Sequence, residues 1–315
     1  MQELLDRAVW DADGVRDDLR AYVAEHLGDP DGVLVVDETG FLKQGTESVG
    51  VQRQYAGTAG RIENSQVGVF LADAAPTGHA FLDRALYLPQ GWAGDADRRA
   101  EAGAIGFRTK PRLAQAMLAR AMEAGVPFGR VTGDEVYGGG RRLRLWLEEH
   151  GLAHLLAITA TEPRWAATER GPAPVTAAAL GAELPAPARV QGSAGDGAKG
   201  PRRPDWARVP IRPLRAPGKG SWLLVRRSLA DPTDRAYHVG VGPGATPLTE
   251  SVRVAGTRWA IEQCFEEAKG EVGLDQYDVR RWDGWRRHAT LCLPAHAVLA
   301  ATRAVAAKRG APPIR

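Results

Sequence analysis

At 315 residues, 44% of them hydrophobic and 25% charged, the chain has material for one large core, or a core plus an insertion, and not the make-up of a disordered segment. Its formal net charge is +3, its two cysteines (Cys264 and Cys292) fall in no metal-binding spacing, and no consecutive apolar run approaches the ~18 residues of a membrane span. A disulfide framework and a zinc site are set aside on that count, and the opening MQELLDRAVWDADG lacks the basic and apolar regions of a secretory signal, so a reducing cytoplasm is the expected compartment.

Residues 4–27 have the period of an amphipathic helix. GDPDG then turns the chain into VLVVDETG, a short β-branched run that reads as a buried strand ending at Asp37. SVGVQRQYAG, ENSQVGVFLADA and HAFLDRALYLP follow as strands. Lys110-Pro111 opens a helix through Ala124, stopped by Gly125. VPFGRVTGDEVYG is a strand entering a Gly-rich loop, RRLRLWLEEHG a helix ending at Gly151, and HLLAIT a short strand. Residues 160–220 are rich in Pro, Gly and Ala with little helical period, and read as loops and short strands leading into SWLLVRRSL and AYHVGVGP. Helical period returns from Leu248 to about Val272, and residues 283–308 close the chain as a helix. The order of elements predicts an α/β protein with helices packed on a sheet.

Charge is unevenly placed. From Lys199 to Arg227 there are nine Lys or Arg against one acid, Asp205, and from Arg280 to Arg315 eight against one, Asp283. Arginine makes up 35 of the 41 basic residues, and its planar, permanently charged fork suits phosphate oxygens. Two basic blocks in a near-neutral chain fit a polyanion held on particular faces, and equally fit the solvated surface of an Arg-rich protein.

Asp37 ends the first predicted strand and Asp134 a later one, and functional groups of open α/β sheets gather at the carboxyl ends of strands. Glu38 and Glu135 are rivals by position. A third acid belongs on a helix facing the same edge. In RWAIEQCFEEAK, Arg258, Glu262, Phe265 and Lys269 form one helical stripe, with Ile261, Cys264, Phe265, Ala268 and Val272 beside it to pack on the sheet. Glu266 and Glu267 are rivals there, and an Arg258–Glu262 surface pair is the plain alternative. Three carboxylates are hard oxygen ligands suited to Mg2+ or Mn2+. Two such ions would serve an in-line phosphoryl displacement, with Arg258 and Lys269 holding flanking phosphates.

SAGDGAKG lacks the ending of a nucleotide P-loop and the helix that follows one, and reads as a tight turn with Lys199 as a DNA contact. His288 and His296 read as ordinary core or surface histidines. Trp259, Trp282 and Trp285 are candidates to stack on an extruded base, with core packing the stronger expectation, most of all for Trp259.

The stretches VLVVDETGFLKQG (33–45), RVTGDEVYG (130–138), SAGDGAKGPR (193–202) and RWAIEQCFEEAKGEVGLDQYDVRRW (258–282) resemble the Asp-Asp-Glu transposases of bacterial insertion sequences, in particular the type numbered seven hundred and one, related to the type numbered four. The resemblance implies an RNase H-like mixed sheet flanked by helices, with a β-rich insertion between the second Asp and the Glu. It divides the chain into a remnant of an N-terminal helical region (1–30), a first part of the catalytic core (31–158), the insertion (159–245) and the C-terminal core helices (246–315). It implies that Asp37, Asp134 and Glu262 are the catalytic residues and hold two Mg2+ or Mn2+ ions, and that double-stranded DNA, both element ends and target, is the substrate. Lys199, Arg202, Arg258, Lys269, Arg280 and Arg281 are the expected DNA contacts. A homodimer on DNA follows from the same likeness, DNA binding would place the protein at the nucleoid within the cytoplasm, and no membrane partner is expected because no apolar run is long enough for a span. Arg258, Glu262 and Lys269 fit the family's Tyr-Arg-Glu-Lys spacing, whereas its Tyr position falls on Ala255. Members carry a longer N-terminal region, so a shortened or domesticated DNA-binding protein without turnover is the alternative. A metal-free carboxylate-pair hydrolase acting on sugars is a third reading, which the Arg-rich blocks oppose.

Overall fold

The structure, a computed structural model, describes residues 2–101, 106–168, 171–182, 184, 190–192, 196–197, 200–201, 204–212, 214 and 220–309. The chain divides into two compact units, residues 1–128 with 260–315, and residues 129–259. Both are of mixed α/β construction.

The first unit begins with α1 (Gln2–Asp6) and α2 (Ala12–His26). The single helix expected over 4–27 is thus broken. The Asp11 carboxylate accepts the Asp13 N–H at 2.9 Å and caps α2, and the Trp10 indole donates to the Leu4 carbonyl at 2.8 Å. A side chain that satisfies the backbone locally ends the helix that periodicity alone would continue. Four strands follow, β1 (Val33–Leu42), β2 (Gln52–Ala56), β3 (Arg61–Ala75) and β4 (Gly78–Tyr87). The 15-residue β3 takes β1 antiparallel along one side, and β2 then β4 along the other. Strand β1 does not end at Asp37. Its pairing runs on from Asp37↔Phe70 to Leu42↔Ser65, because β3 is long enough to satisfy that backbone. After α3 (Gln90–Gly94), α4 (Ala96–Glu101) and α5 (Lys110–Glu123), Gly125 takes φ 67°, the left-handed conformation that lets the chain turn after the helix.

The second unit carries β5 (Arg130–Gly133), α6 (Glu135–Gly138), α7 (Arg141–Glu149), β6 (His154–Ile158), the hairpin of β7 (Pro163–Thr168) and β8 (Gly171–Thr176), α8 (Ala177–Ala182), the short β9 (Val190–Gln191), β10 (Asp196–Gly197) and β11 (Gly200–Pro201), then β12 (Asp205–Pro210), β13 (Gly220–Arg227), β14 (Arg235–Gly242) and α9 (Leu248–Thr257). Strands β5 and β6 are parallel, and β6, β14, β13, β12 and β9 continue as antiparallel neighbours. The core of this unit gathers Ile158, Leu180, Leu223, Val225, Tyr237 and Val239.

The chain returns to the first unit through α10 (Trp259–Val272) and α11 (Trp282–Lys308). Helix α11 lies on β4 and α2, and α5 on β3 and β4. By length and averaged composition α11 could cross a bilayer, which no consecutive apolar run suggested, and half of its most apolar window is buried in the protein. Phe70, Phe81, Phe265 and Trp285 meet at ring distances of 5.1 to 6.5 Å and form the aromatic centre of this unit.

Candidate active site

Strand alternation sorts the acids of β1. Asp37, Thr39 and Phe41 share one face and Glu38 lies on the other. Glu38 is engaged on its own face, where Lys110 Nζ, at the start of α5, donates to its carboxylate at 2.7 Å. Asp37 is 7% exposed and one of its oxygens accepts the Glu38 N–H at 2.8 Å.

Helix α10 covers the Asp37 face. Lys269 Nζ donates to Thr39 Oγ1 at 2.7 Å and lies 5.8 Å from the Phe41 ring centroid. Four residues earlier, Phe265 meets Phe70, the residue paired with Asp37, at 5.3 Å. Along the helix from Lys269 to Phe265, the contacts therefore move from the Thr39–Phe41 end of β1 to the row of Asp37. Glu262 lies one turn further along the helix and is exposed. Ile261, Cys264, Phe265 and Ala268 are buried as their spacing predicts, while Val272 is half-buried. Burial lowers the Lys269 pKa, against the nearby carboxylates of Asp275 and Glu262. Its ammonium is directed inward, to Thr39 and, at 3.4 Å, to Thr58.

The four-residue stripe expected from Arg258 to Lys269 does not lie on one helix. Arg258 is the C-cap residue of α9, and α10 begins at Trp259. Trp259 is 53% exposed, contrary to the expectation that it is the most firmly packed of the three tryptophans. The guanidinium of Arg258 stands 5.8 Å over its ring. Trp285 is the buried member, 2% exposed, and Trp282 is half-buried. His288 and His296 are both core residues, and His296 Nε2 lies 3.1 Å from Glu267, one of the rival acids.

In the second unit Asp134 directly follows β5, whose neighbour β6 is parallel, and so stands at a carboxyl strand end. It is also the N-cap of α6, accepting the Val136 N–H at 2.9 Å. The rival Glu135 is exposed. The close turn depends on Gly138, where a Cβ would fall 1.7 Å from the Ala157 carbonyl oxygen of β6.

Among the expected DNA contacts, Arg280 and Arg281 are exposed just before α11, with Arg281 as its N-cap. Lys199 and Arg202 lie outside the described residues. Among the described residues no group of three His, Cys, Asp or Glu side chains is gathered as a ready-made metal site. Asp37 and Glu262 belong to the first unit and Asp134 to the second.

Sequence reasoning missed the pairing of Lys110 with Glu38 and the anchoring of Lys269 on Thr39. Strand alternation carried a signal for the first, since Glu38 must face away from Asp37. Nothing local carried one for the second, whose partners are 230 residues apart.

A family model described as DDE superfamily endonuclease matches residues 1–209, a span that includes Asp37 and Asp134 and stops before Glu262. A probable transposase for insertion sequence element IS701 from Microchaete diplosiphon is 29% identical over 164 residues, 50% of this chain and 40% of that relative. The chain therefore spans well under half the length of the relative it matches.

Proposed function

The chain belongs to the DDE superfamily endonucleases, and from that premise we propose that it is a transposase that cleaves DNA strands and joins them to a target, with Asp37, Asp134 and Glu262 as its catalytic acids. The observation that carries the third acid is the laying of α10 over the Asp37 face of β1, pinned at Lys269–Thr39 and Phe265–Phe70, with Glu262 one turn beyond. The relative's description as a probable transposase supports the same reading.

In this reading residues 159–245 are a β-rich insertion in an RNase H-like core formed by residues 31–158 and 246–315. Carboxylate oxygens are the donor chemistry of a hard divalent cation, and Asp37, Asp134 and Glu262 would hold Mg2+ or Mn2+, two ions in all. Bound there, the metal would activate the attacking oxygen and stabilise the charge on the leaving one. Asp37 holds its place because β1 is paired through and beyond it and because one of its oxygens is fixed by the Glu38 amide. Lys269 orients α10 on β1, and with it Glu262, rather than reaching outward for a phosphate. Arg280 and Arg281, both exposed, are the outward cations that would hold flanking phosphates, with the half-buried Arg258 a further candidate.

The test is cleavage of the element's terminal DNA in magnesium and in EDTA, by the wild type and by Glu262→Gln. Metal-dependent cutting that falls at least ~100-fold in the variant, with DNA binding kept, is the expected result. Undiminished cutting by Glu262→Gln would remove Glu262 from the site. Binding without cutting in both proteins would favour the alternative of a DNA-binding protein derived from a transposase, a reading to which Ala255 at the family's Tyr position also points.

A further inference from the structure

The first unit holds a cavity of about 330 Å³ that the cleavage reading does not use. Its place follows from the sheet register. Asp37 pairs with Phe70, and Phe70 pairs with Arg84 on β4, so the three stand in one row. Directly opposed residues point to the same face, and two strand spacings of ~4.8 Å put Arg84 roughly 10 Å from Asp37. The cavity opens around Arg84 and is walled by α2, α5 and the first turns of α11.

Its lining is rich in guanidinium groups. Arg16, Arg84, Arg108, Arg120 and Arg286 all contribute, and Asp13 is the acid among them. The carboxylates nearby are already shared. Asp13 takes Arg16 at 2.6 Å and Arg286 at 2.5 Å, Asp83 takes Arg120 at 2.9 Å, and Asp17 takes Arg16 and Arg20. Arg84, only 5% exposed, receives what remains. Its Nη1 is 3.6 Å from Asp13 and 3.8 Å from Asp83, its Nη2 donates to the Ala12 carbonyl at 3.3 Å, and its Nε has no partner among the described residues. Burial first, with Arg16 and Arg286 adding to it, lowers its pKa to about 10, against the pull of Asp83 and Asp13.

A network of purely structural ion pairs balances its charges, because unpaired buried charge is costly. Here Arg16, Arg20, Arg84, Arg120 and Arg286 face Asp11, Asp13, Asp17 and Asp83, and Arg108 stands exposed at the rim as a sixth cation. A surplus of cations around a nearly buried guanidinium with an orphan donor is the environment an oxyanion completes. The volume exceeds what a bare phosphate needs and lies at the lower end of small-molecule sites. The half-buried indole of Trp282 supplies an aromatic wall.

We infer that this cavity binds a nucleotide, its phosphate held by Arg84, Arg108 and Arg286 and its base set against Trp282. The ligand is either a free nucleotide or one unit of a DNA strand, since both present the same phosphate and ring. The site stands on its own geometry and does not require the catalytic assignment.

Calorimetric titration of the full chain with inorganic phosphate, with dAMP and with a short single-stranded oligonucleotide tests it. Saturable binding of dAMP is expected, weakened by about tenfold or more in Arg108→Gln/Arg286→Gln, which alters two groups outside the buried core and whose thermal unfolding is checked alongside. Trp282→Phe weakens dAMP and leaves inorganic phosphate unchanged. An oligonucleotide that displaces dAMP one for one identifies a strand nucleotide as the occupant, whereas dAMP binding without such displacement identifies a free one. No saturable binding of any of the three probes, or binding untouched by the double arginine variant, overturns the site. That failure is separate from the cleavage reading, which is read by Glu262→Gln in magnesium.

Discussion

Asp73, on β3 and opposite Leu34, shows how far a single carboxyl can be driven by its surroundings. It is fully buried and neither carboxyl oxygen has a hydrogen-bond partner among the described residues. Burial first, then the charge of Asp29, raises its pKa from 3.8 to about 7, against the Ala74 amide. The sign is that of a raised acid. The folded state holds the proton up to about pH 7 while the unfolded chain releases it near 3.8, so the favourable contribution is complete below about pH 4. It is lost progressively as pH rises towards 7 and then stays lost. Asp73→Asn is expected to move the balance in its own favour by a few kcal/mol between about pH 4 and pH 8. Urea unfolding of both proteins across that range measures it, and parallel stability profiles would show that Asp73 does not carry a buried proton.

At the scale of the element, the turn from β5 into α6 sets Asp134 in place, and its weak point is Gly138. The obstacle to a side chain there is backbone of β6 rather than a movable side chain. Gly138→Ala is expected to destabilise the protein by about 3 kcal/mol or more and, on the proposed assignment, to lower cleavage as the turn is displaced. Gly270→Ala is the contrast, since its new methyl meets nothing within 4 Å and it lies inside α10. There the exchange gains roughly 0.5–1 kcal/mol from helix propensity. Equal unfolding midpoints for the two variants would contradict the close approach of α6 to β6.

Over the whole molecule, the net charge of +3 conceals two arginine-rich stretches. If those stretches meet DNA phosphates, affinity depends steeply on salt, because each neutralised phosphate releases a counterion. With six to ten such contacts, binding to a duplex is expected to weaken by roughly 10³-fold or more between about 50 and 200 mM salt. A flat salt dependence would remove the basic blocks from the DNA reading. The division into two units makes the same point about chemistry. Asp37 and Glu262 come from one and Asp134 from the other, so on the proposed assignment residues 129–259 expressed alone would carry one of the three acids.

The sequence by itself determined most of the elements, and it named the candidate acids together with their rivals. The β-branched run before Asp37, the Pro–Gly bracket around α5 and the buried stripe of Ile261, Cys264, Phe265 and Ala268 were each legible, because period and punctuation are properties of neighbouring residues. What escaped it depended on distant partners. Strand β1 outruns Asp37 because β3 is there to pair with it, and the early helix breaks because Asp11 and Trp10 bond to nearby backbone instead. Trp259 faces solvent while Trp285 is enclosed by Phe70 and its neighbours. The choice between Asp37 and Glu38 gains its support from Lys110 and Lys269, which lie on opposite faces of β1 and far along the chain. The arginines of the cavity arise on four separate segments, so their surplus over carboxylates exists only where the fold collects them. Pattern fixes which face of an element is apolar, but which face meets which partner is decided by contacts between residues that no local spacing relates.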